Sequence, residues 1–233
     1  MEVSDLFFEK NKAFTLAEVL VTLGIVGVIA AMTIPMLITN YQKRLTLTRL
    51  KKTYSQLNQV IKLIDEEQGL AVLSGSATNS VQKYILPHYN GATYYPPNNY
   101  KKSMCFNPNH YYLSAKGNDA QYNSLSTRTK GYCGGYISTP FGSMPSIELP
   151  DGTCIGFNQL IGGSYYTEST IFVDVNGSAN PPNCLGKDMF WFYLDQDTAS
   201  IQPTKQVGGY NQEKYGAYKI IKDGWRFAPD YPW

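Results

Sequence analysis

Residues 10–38 read KNKAFTLAEVLVTLGIVGVIAAMTIPMLI. The two lysines at the start are followed by an apolar run, residues 14–38, whose single charged side chain is Glu18. A helix over residues 14–38 is long enough to cross a bilayer, because about 20 residues suffice. A secretory signal peptide would have a shorter apolar core with a small-residue cleavage site behind it. The run therefore predicts a membrane-spanning helix that stays in the protein.

Two residues of this run are unusual for a helix in lipid, the carboxylate of Glu18 and the helix breaker Pro35. A carboxylate within the membrane costs roughly 2.5–3.5 kcal/mol on insertion scales, so it needs a partner or a function. The chain places no cation one helical turn from Glu18. A cut before Phe14 would create a new α-amine at that distance, and this amine could pair with Glu18 of its own chain or of a neighbour.

The residues KNKAFTLAEVLVTLGIVGVIAAMTIP resemble the class III signal of type IV pilins and type II secretion pseudopilins. The resemblance implies cleavage between Ala13 and Phe14 by a prepilin peptidase, followed by N-methylation of Phe14. It also implies that Glu18, the fifth residue of the mature chain, guides assembly, and that Pro35 bends or locally melts a packed helix. The family usually has glycine before the cut, where this chain has Ala13. An ordinary signal-anchor helix with a chance glutamate is the alternative.

The resemblance further implies a structural subunit whose partners are copies of itself, other pilin-like subunits and an inner-membrane assembly platform. The subunit would wait in the cytoplasmic membrane with its head outside and then enter an extracellular or periplasmic filament. The positive-inside rule favours the opposite orientation. The side before the span offers Lys10 and Lys12, whereas five basic residues follow it: Lys43, Arg44, Arg49, Lys51 and Lys52.

The helical pattern continues beyond the span, because no glycine or further proline occurs between Pro35 and Gly69. An apolar stripe recurs at steps of three and four residues, which predicts an amphipathic helix half: Leu47, Leu50, Tyr54, Leu57, Ile61 and Ile64. Basic residues from Lys43 to Lys52 precede the acidic group Asp65, Glu66 and Glu67. These groups either pair between staggered neighbours or form a simple solvated face.

Strand signals follow in the C-terminal part. SIELPDGTCIGFN predicts a hairpin around Asp151-Gly152, STIFVDVNGS predicts a strand that ends at Asn176-Gly177, and DMFWFYLD predicts another strand. Residues 70–145 predict a loop-rich region with short elements. The fold class is thus α+β, with a long N-terminal helix packed on an antiparallel sheet. The predicted segments are a leader (1–13), a spanning half-helix (14–38), an amphipathic half-helix (39–68) and a globular head (69–233).

The four cysteines all lie in the head: Cys105, Cys133, Cys154 and Cys184. No two of them form a CxxC motif, which argues against a zinc site. An even number of cysteines in a domain outside the cytoplasm favours two disulfides. Of the three possible pairings, Cys105–Cys133 with Cys154–Cys184 closes the shorter loops and is preferred. Four free buried thiols are the alternative.

The sequence contains no enzyme motif, because neither His88 nor His110 lies in a ligand or nucleophile pattern and Gly186-Lys187 lacks the glycine spacing of a phosphate loop. The prediction is therefore a protein without a catalytic role. No cofactor is expected, although Asp174, Asn176 and Asp188 could supply oxygen ligands to calcium. Turn chemistry explains the same residues without a metal.

The balance of 20 basic and 18 acidic residues gives no nucleic-acid signal. Tyrosine is frequent, with 19 residues, and keeps a second class open: a membrane-anchored extracellular module that binds a sugar or another surface and does not polymerise. A minor pilin in DNA uptake is a third possibility. Sedimentation with sheared fibres would separate a filament subunit from an anchored module.

Overall fold

The computed structural model describes residues 14–97, 105, 144–161, 170–177, 179–180, 184–207, 210–211, 213, 216–231 and 233. The chain divides into two compact units, Met1–Lys43 and Arg44–Trp233. Helix α1 spans Leu16–Gln68 and contributes to both. It remains helical through Pro35 and ends before Gly69, whose φ of 75° places it in the left-handed region that favours glycine after a helix.

The second half of α1 buries the predicted stripe and extends it. Leu47 and Tyr54 are partly buried against the core. The buried residues of the helix are Thr46, Leu50, Thr53, Leu57, Val60, Ile61 and Ile64. Threonine is tolerated here because the Thr53 hydroxyl donates to the carbonyl oxygen of Arg49, 3.0 Å away, within the same helix.

Short elements follow α1, as the sequence predicts for the part of residues 70–145 that the structure describes. They are the 3₁₀ turn Leu70–Leu73, helix α2 at Ala77–Ser80, the π turn Val81–Ile85, the 3₁₀ turn Leu86–His88 and strand β1 at Thr93–Tyr95. Leu73, Val81 and Ile85 are buried in the same core as α1. The segment is therefore packed against the core despite its irregular backbone.

Six strands form one antiparallel sheet in the order β1-β2-β3-β4-β5-β6. The strands after β1 are β2 (Ser146–Glu148), β3 (Cys154–Phe157), β4 (Ile171–Asp174), β5 (Met189–Asp195) and β6 (Ser200–Pro203). A small ribbon, β7 (Gln206–Val207) with β8 (Tyr210–Asn211), and helix α3 (Ala217–Lys222) complete the chain. The predicted hairpin and the two further strands are confirmed as β2 to β5. The α+β fold class is confirmed, and the architecture is pilin-like.

The sheet is buried on both faces. Alternate residues of a strand point to opposite faces, so Phe190 and Phe192 join the cluster around α1 while Met189 and Trp191 join a second cluster. The second cluster also contains Cys105, Met144, Cys154, Phe172 and Leu185. The run DMFWFYLD is apolar at both sets of alternate positions, and this explains why both faces of the sheet are covered.

Polar contacts connect the second half of α1 to the turns that follow β2 and β4. Arg49 donates to the carbonyl oxygen of Val175 (3.2 Å), and Lys52 forms a salt bridge with Asp151 (2.6 Å). Partial burial by itself raises the pKa of Asp151, but the hydrogen bonds from Lys52 and Thr153 outweigh it and hold this pKa below its ordinary value.

One further contact reaches the edge strand β6. Asn58 of α1 accepts a hydrogen bond from the backbone N–H of Ile201 through Oδ1, at 2.8 Å. Its amide nitrogen donates to the carbonyl oxygen of Tyr54, 2.9 Å away. The side chain is thus held within its own helix while it pairs with a backbone group of the sheet.

The C-terminal residues also pack on α1. Trp225 makes an edge-to-face contact with Tyr54, with ring centroids 5.2 Å apart, and the Lys51 ammonium lies 5.7 Å from the centre of the Trp225 ring. The Tyr231 hydroxyl donates to the carbonyl oxygen of Gly186 and accepts from the N–H of Gly216. These contacts connect the end of the chain to α1 and to the loop before β5.

The preferred disulfide pairing is wrong, because Cys105 is bonded to Cys154, with 5.3 Å between their α-carbons. Loop length was a weak criterion, since doubling a loop adds only about 0.6 kcal/mol of closure cost. Cys154 begins β3 and lies opposite Glu148 of β2. Cys105 also lies beside β2, because its sulfur is 3.2 Å from the carbonyl oxygen of Ile147 in that strand. Cys184 is also disulfide-bonded, and Cys133 lies outside the described residues.

Candidate functional site

Residues 14–38 leave their large apolar side chains exposed. Phe14 is 85% exposed and Leu16 is 78% exposed. The same holds along the run for Val19, Leu20, Val21, Leu23, Ile25, Val26, Val28, Ile29, Met32, Ile34, Met36, Leu37 and Ile38. By length and composition, α1 is one helix of the described chain that is able to cross a membrane. A continuous apolar surface of this extent indicates contact with lipid or with other protein chains.

Phe14 and Thr15 precede the first helical residue, Leu16. Ala13, on the other side of the predicted cut, lies outside the described residues. The described side of the predicted cleavage point is therefore non-helical and exposed. Cleavage at this point and methylation of Phe14 remain predictions.

Glu18 is part of a capping box at the start of α1. Its Oε2 accepts hydrogen bonds from the backbone N–H of Thr15 (2.9 Å) and from the Thr15 hydroxyl (2.8 Å). The Thr15 hydroxyl oxygen in turn accepts from the backbone N–H of Glu18 at 3.2 Å. This reciprocal pattern satisfies donors that the first turn of a helix otherwise leaves unpaired.

The capping box gives Thr15 a place beside Glu18 that the sequence analysis did not assign. The signal was present in the sequence as T-x-x-E immediately before an apolar run. Among the described residues, only Oε2 of the carboxylate is hydrogen-bonded. The other oxygen, Oε1, can accept a further donor, so the geometry leaves room for a cation beside the helix start.

Pro35 does not melt the helix in this chain. Residues on both sides are helical, although proline has no N–H to donate to the carbonyl four residues earlier. Its own carbonyl oxygen accepts a hydrogen bond from the Thr39 hydroxyl at 3.0 Å. Any change in the helix at Pro35 on assembly therefore remains a prediction.

Two residues of the possible calcium set are buried and engaged as hydrogen-bond acceptors. Asp174 Oδ1 accepts from the N–H groups of Asn176 (3.1 Å) and Gly177 (2.8 Å). Asp188 Oδ1 accepts from the N–H of Cys184 at 2.6 Å. Within the part of the chain that the structure describes, no three His, Cys, Asp or Glu side chains are grouped to hold a metal. The hydrogen bonds of both carboxylates order turns between β4 and β5.

Residues 9–34 match the family model of the prokaryotic N-terminal methylation motif, the prepilin-type signal of type IV pilins and pseudopilins. The resemblance drawn from the sequence is thereby confirmed over this segment. No curated protein and no solved structure matches the chain. The motif supports a prepilin-like protein and suggests a structural subunit. Together with the apolar helix, it fits a single-pass membrane anchor.

Proposed function

We propose that the chain is a prepilin-like subunit that is cut between Ala13 and Phe14, N-methylated on Phe14 and assembled into a helical filament of a type IV pilus or type II secretion pseudopilus. Residues 1–13 are the leader, residues 14–38 span the membrane and later form the filament core, and residues 39–68 carry the head, 69–233. The head lies outside the cytoplasmic membrane. A prepilin peptidase, an inner-membrane assembly platform and other pilin-like subunits are the partners.

One observation carries this proposal: the segment that bears the methylation motif is also the segment whose apolar side chains the chain leaves exposed. In lipid these side chains are covered by acyl chains. In a filament they are covered by the same segment of neighbouring subunits. Residues 14–38 thus stay in apolar surroundings throughout, so the transfer from membrane to filament costs little hydrophobic free energy.

The capping box supports a role for Glu18 in axial register. Two hydrogen bonds from Thr15 reduce the cost of holding a carboxylate in apolar surroundings. Processing places a positive α-amine on Phe14, next to Thr15. Oε1 of Glu18 can accept a hydrogen bond from the α-amine of its own chain or from that of a neighbouring subunit. An unpaired charge in the filament core is expensive, and this favours the one axial position in which the charges meet.

Intact and N-terminal peptide mass spectrometry of the native protein, from membranes and from sheared surface material, tests both parts of the proposal. We expect a chain that begins at N-methylated Phe14 in both fractions. Ala13→Gly should be processed at least as completely as the natural sequence, and Ala13→Leu should remain uncut, because a large side chain departs from the small residue expected before the cut.

The outcomes separate the two function classes. A chain that still begins at Met1 beside an active prepilin peptidase would contradict processing. A processed chain found only in membranes would contradict filament assembly and support the anchored binding module. Glu18→Gln keeps a hydrogen-bond acceptor and removes the charge. It should lower the amount in the sheared fraction without preventing cleavage.

A further inference from the structure

A pocket lies in the unit Arg44–Trp233, between the second half of α1, the turn after Leu86–His88 and the end of β2. Its volume is about 280 Å³ and it is open on one side. Five of the described residues that line it are polar, and two are apolar: Lys52, Gln56, His88, Tyr89 and Asn90, with Leu149 and Pro150. None of them belongs to the apolar segment that carries the methylation motif.

Two polar atoms of these lining residues lack a hydrogen bond. Oε1 of Gln56 and the hydroxyl oxygen of Tyr89 are buried, and neither has a partner among the described residues. Buried polar groups are nearly always paired, and an unpaired one requires an explanation. Both atoms are enclosed, so a hydrogen-bonding occupant of the pocket reaches them only if the two side chains turn toward it.

The size of the pocket argues for an occupant larger than a single water. A water molecule takes about 30 Å³ in the liquid, and the pocket is about 280 Å³. Ligand sites for drug-sized molecules begin near 300 Å³. The volume therefore fits a molecule at the small end of that range, such as one sugar ring.

The electrostatics argue for an uncharged occupant. Lys52 is the permanently charged residue among the described lining residues, and its ammonium is already paired with Asp151 at 2.6 Å. Burial raises the pKa of Tyr89, so this side chain remains a neutral phenol that both donates and accepts. The amides of Gln56 and Asn90 provide further donors and acceptors.

We propose that this pocket binds a neutral, hydroxyl-rich ligand, namely one sugar ring. The side chains of Gln56 and Tyr89 rotate toward the pocket and pair with hydroxyl groups of the sugar, and Asn90 contacts the sugar from the rim. Leu149 and Pro150 pack against its C–H face. The proposal does not depend on polymerisation, since an anchored subunit and a filament subunit present the same pocket.

Ligand-detected saturation-transfer NMR on the full chain tests whether the pocket binds a sugar. The chain is held in lauryldimethylamine oxide micelles, because this detergent has no sugar headgroup. The probes are the methyl glycosides of glucose, galactose, mannose and N-acetylglucosamine. We expect saturation transfer to at least one probe. Tyr89→Phe and Asn90→Ala should each weaken its affinity by roughly tenfold, the effect of losing one good hydrogen bond.

Tyr94→Phe is the matched control, because its hydroxyl is also buried but does not line the pocket. It should bind the probe as the natural chain does. Asn90 is exposed, so Asn90→Ala keeps the test informative if Tyr89→Phe disturbs folding. The proposal is overturned if none of the four glycosides binds, or if binding is unchanged in both pocket variants. Binding of inorganic phosphate at the same residues in place of the glycosides would also overturn it.

Discussion

At the scale of single residues, Thr15 and Glu18 show how one carboxylate serves two requirements. As the third helical residue, Glu18 caps the start of α1 through Thr15. As the only charge of an apolar run, it is also suited to bind a cation in register. The two uses are compatible because the cap occupies one carboxylate oxygen. The cap lowers the cost of holding this carboxylate in apolar surroundings but leaves its charge in place, so a cation beside Oε1 would stabilise it further.

We expect Thr15→Val to weaken the start of α1 by about 1 kcal/mol, the usual value of a side-chain cap, and Thr15→Ser to preserve it. The measurement is amide hydrogen exchange of the first turn in micelles, which should accelerate about fivefold in Thr15→Val. Thr22→Val is the control, because the Thr22 hydroxyl bonds only to carbonyl oxygens of its own helix. Equal exchange in Thr15→Val and Thr22→Val would contradict the cap.

At the scale of elements, the tight turns explain which strands the sequence could predict. Asp151-Gly152 and Asn176-Gly177 are turn signals, and β2, β3 and β4 end or begin beside them. The hairpin between β5 and β6 has no such signal, because the left-handed residue of its turn is Ala199, with φ 46°. Strand β6 was missed for that reason.

Contacts between residues far apart in the chain could not be predicted from the sequence either. The bond from Cys105 to Cys154 depends on which strand each cysteine lies against, and loop length does not contain this information. The contact of Asn58 with β6 likewise depends on tertiary packing. In contrast, the stripe on α1 and the capping box were both readable, because each depends on residues three or four positions apart.

The two turns also approach each other closely, which gives a matched pair of glycine substitutions. A Cβ on Gly177 would lie 2.7 Å from the carbonyl oxygen of Gly152, whereas a Cβ on Gly75 would meet nothing within 4 Å. Both glycines have positive φ, 75° and 90°. We expect Gly75→Ala to lower the free energy of unfolding by about 1 kcal/mol and Gly177→Ala by about 2–4 kcal/mol.

Denaturant unfolding followed by tryptophan fluorescence checks this difference. Both variants place alanine at a positive φ, so this strain cancels when their losses in free energy of unfolding are compared. The difference between the two losses then measures the effect of the close contact between the turns. Equal losses in the two variants would show that the close approach of Gly177 and Gly152 has no energetic consequence.

At the scale of the whole molecule, the folded structure changes which charges are available to a neighbouring subunit. Arg49, Lys51 and Lys52 are engaged with Val175, Trp225 and Asp151 of their own chain. Substituting these residues would disturb the packing of α1 before it tested any contact between subunits. Glu66 and Glu67 are exposed on α1 and provide the cleaner test.

We expect Glu66→Lys/Glu67→Lys to reduce the amount of protein in the sheared fraction at low salt, because pairing between staggered neighbours would become repulsion. The reduction in yield should be smaller at high salt, because salt then screens the repulsion between exposed charges beyond a few ångströms. Lysines at the exposed residues Gln59 and Gln68 form the control, since they add charge to the same helix without removing the acidic pair. An unchanged yield at low salt would support the simple solvated face.

The edge strand β6 has a consequence for how copies of the chain can join. Along one strand the outward N–H groups occur at every second residue. In β6 these positions are Ile201, whose N–H is bonded by Asn58, and Pro203, which has no N–H. A strand from another head therefore finds no outward N–H donor on β6 and can pair only with its carbonyl oxygens, which weakens the edge-to-edge pairing that leads to amyloid-like aggregation. In the proposed filament, neighbouring heads could therefore lie close together on this side with little tendency to join their sheets.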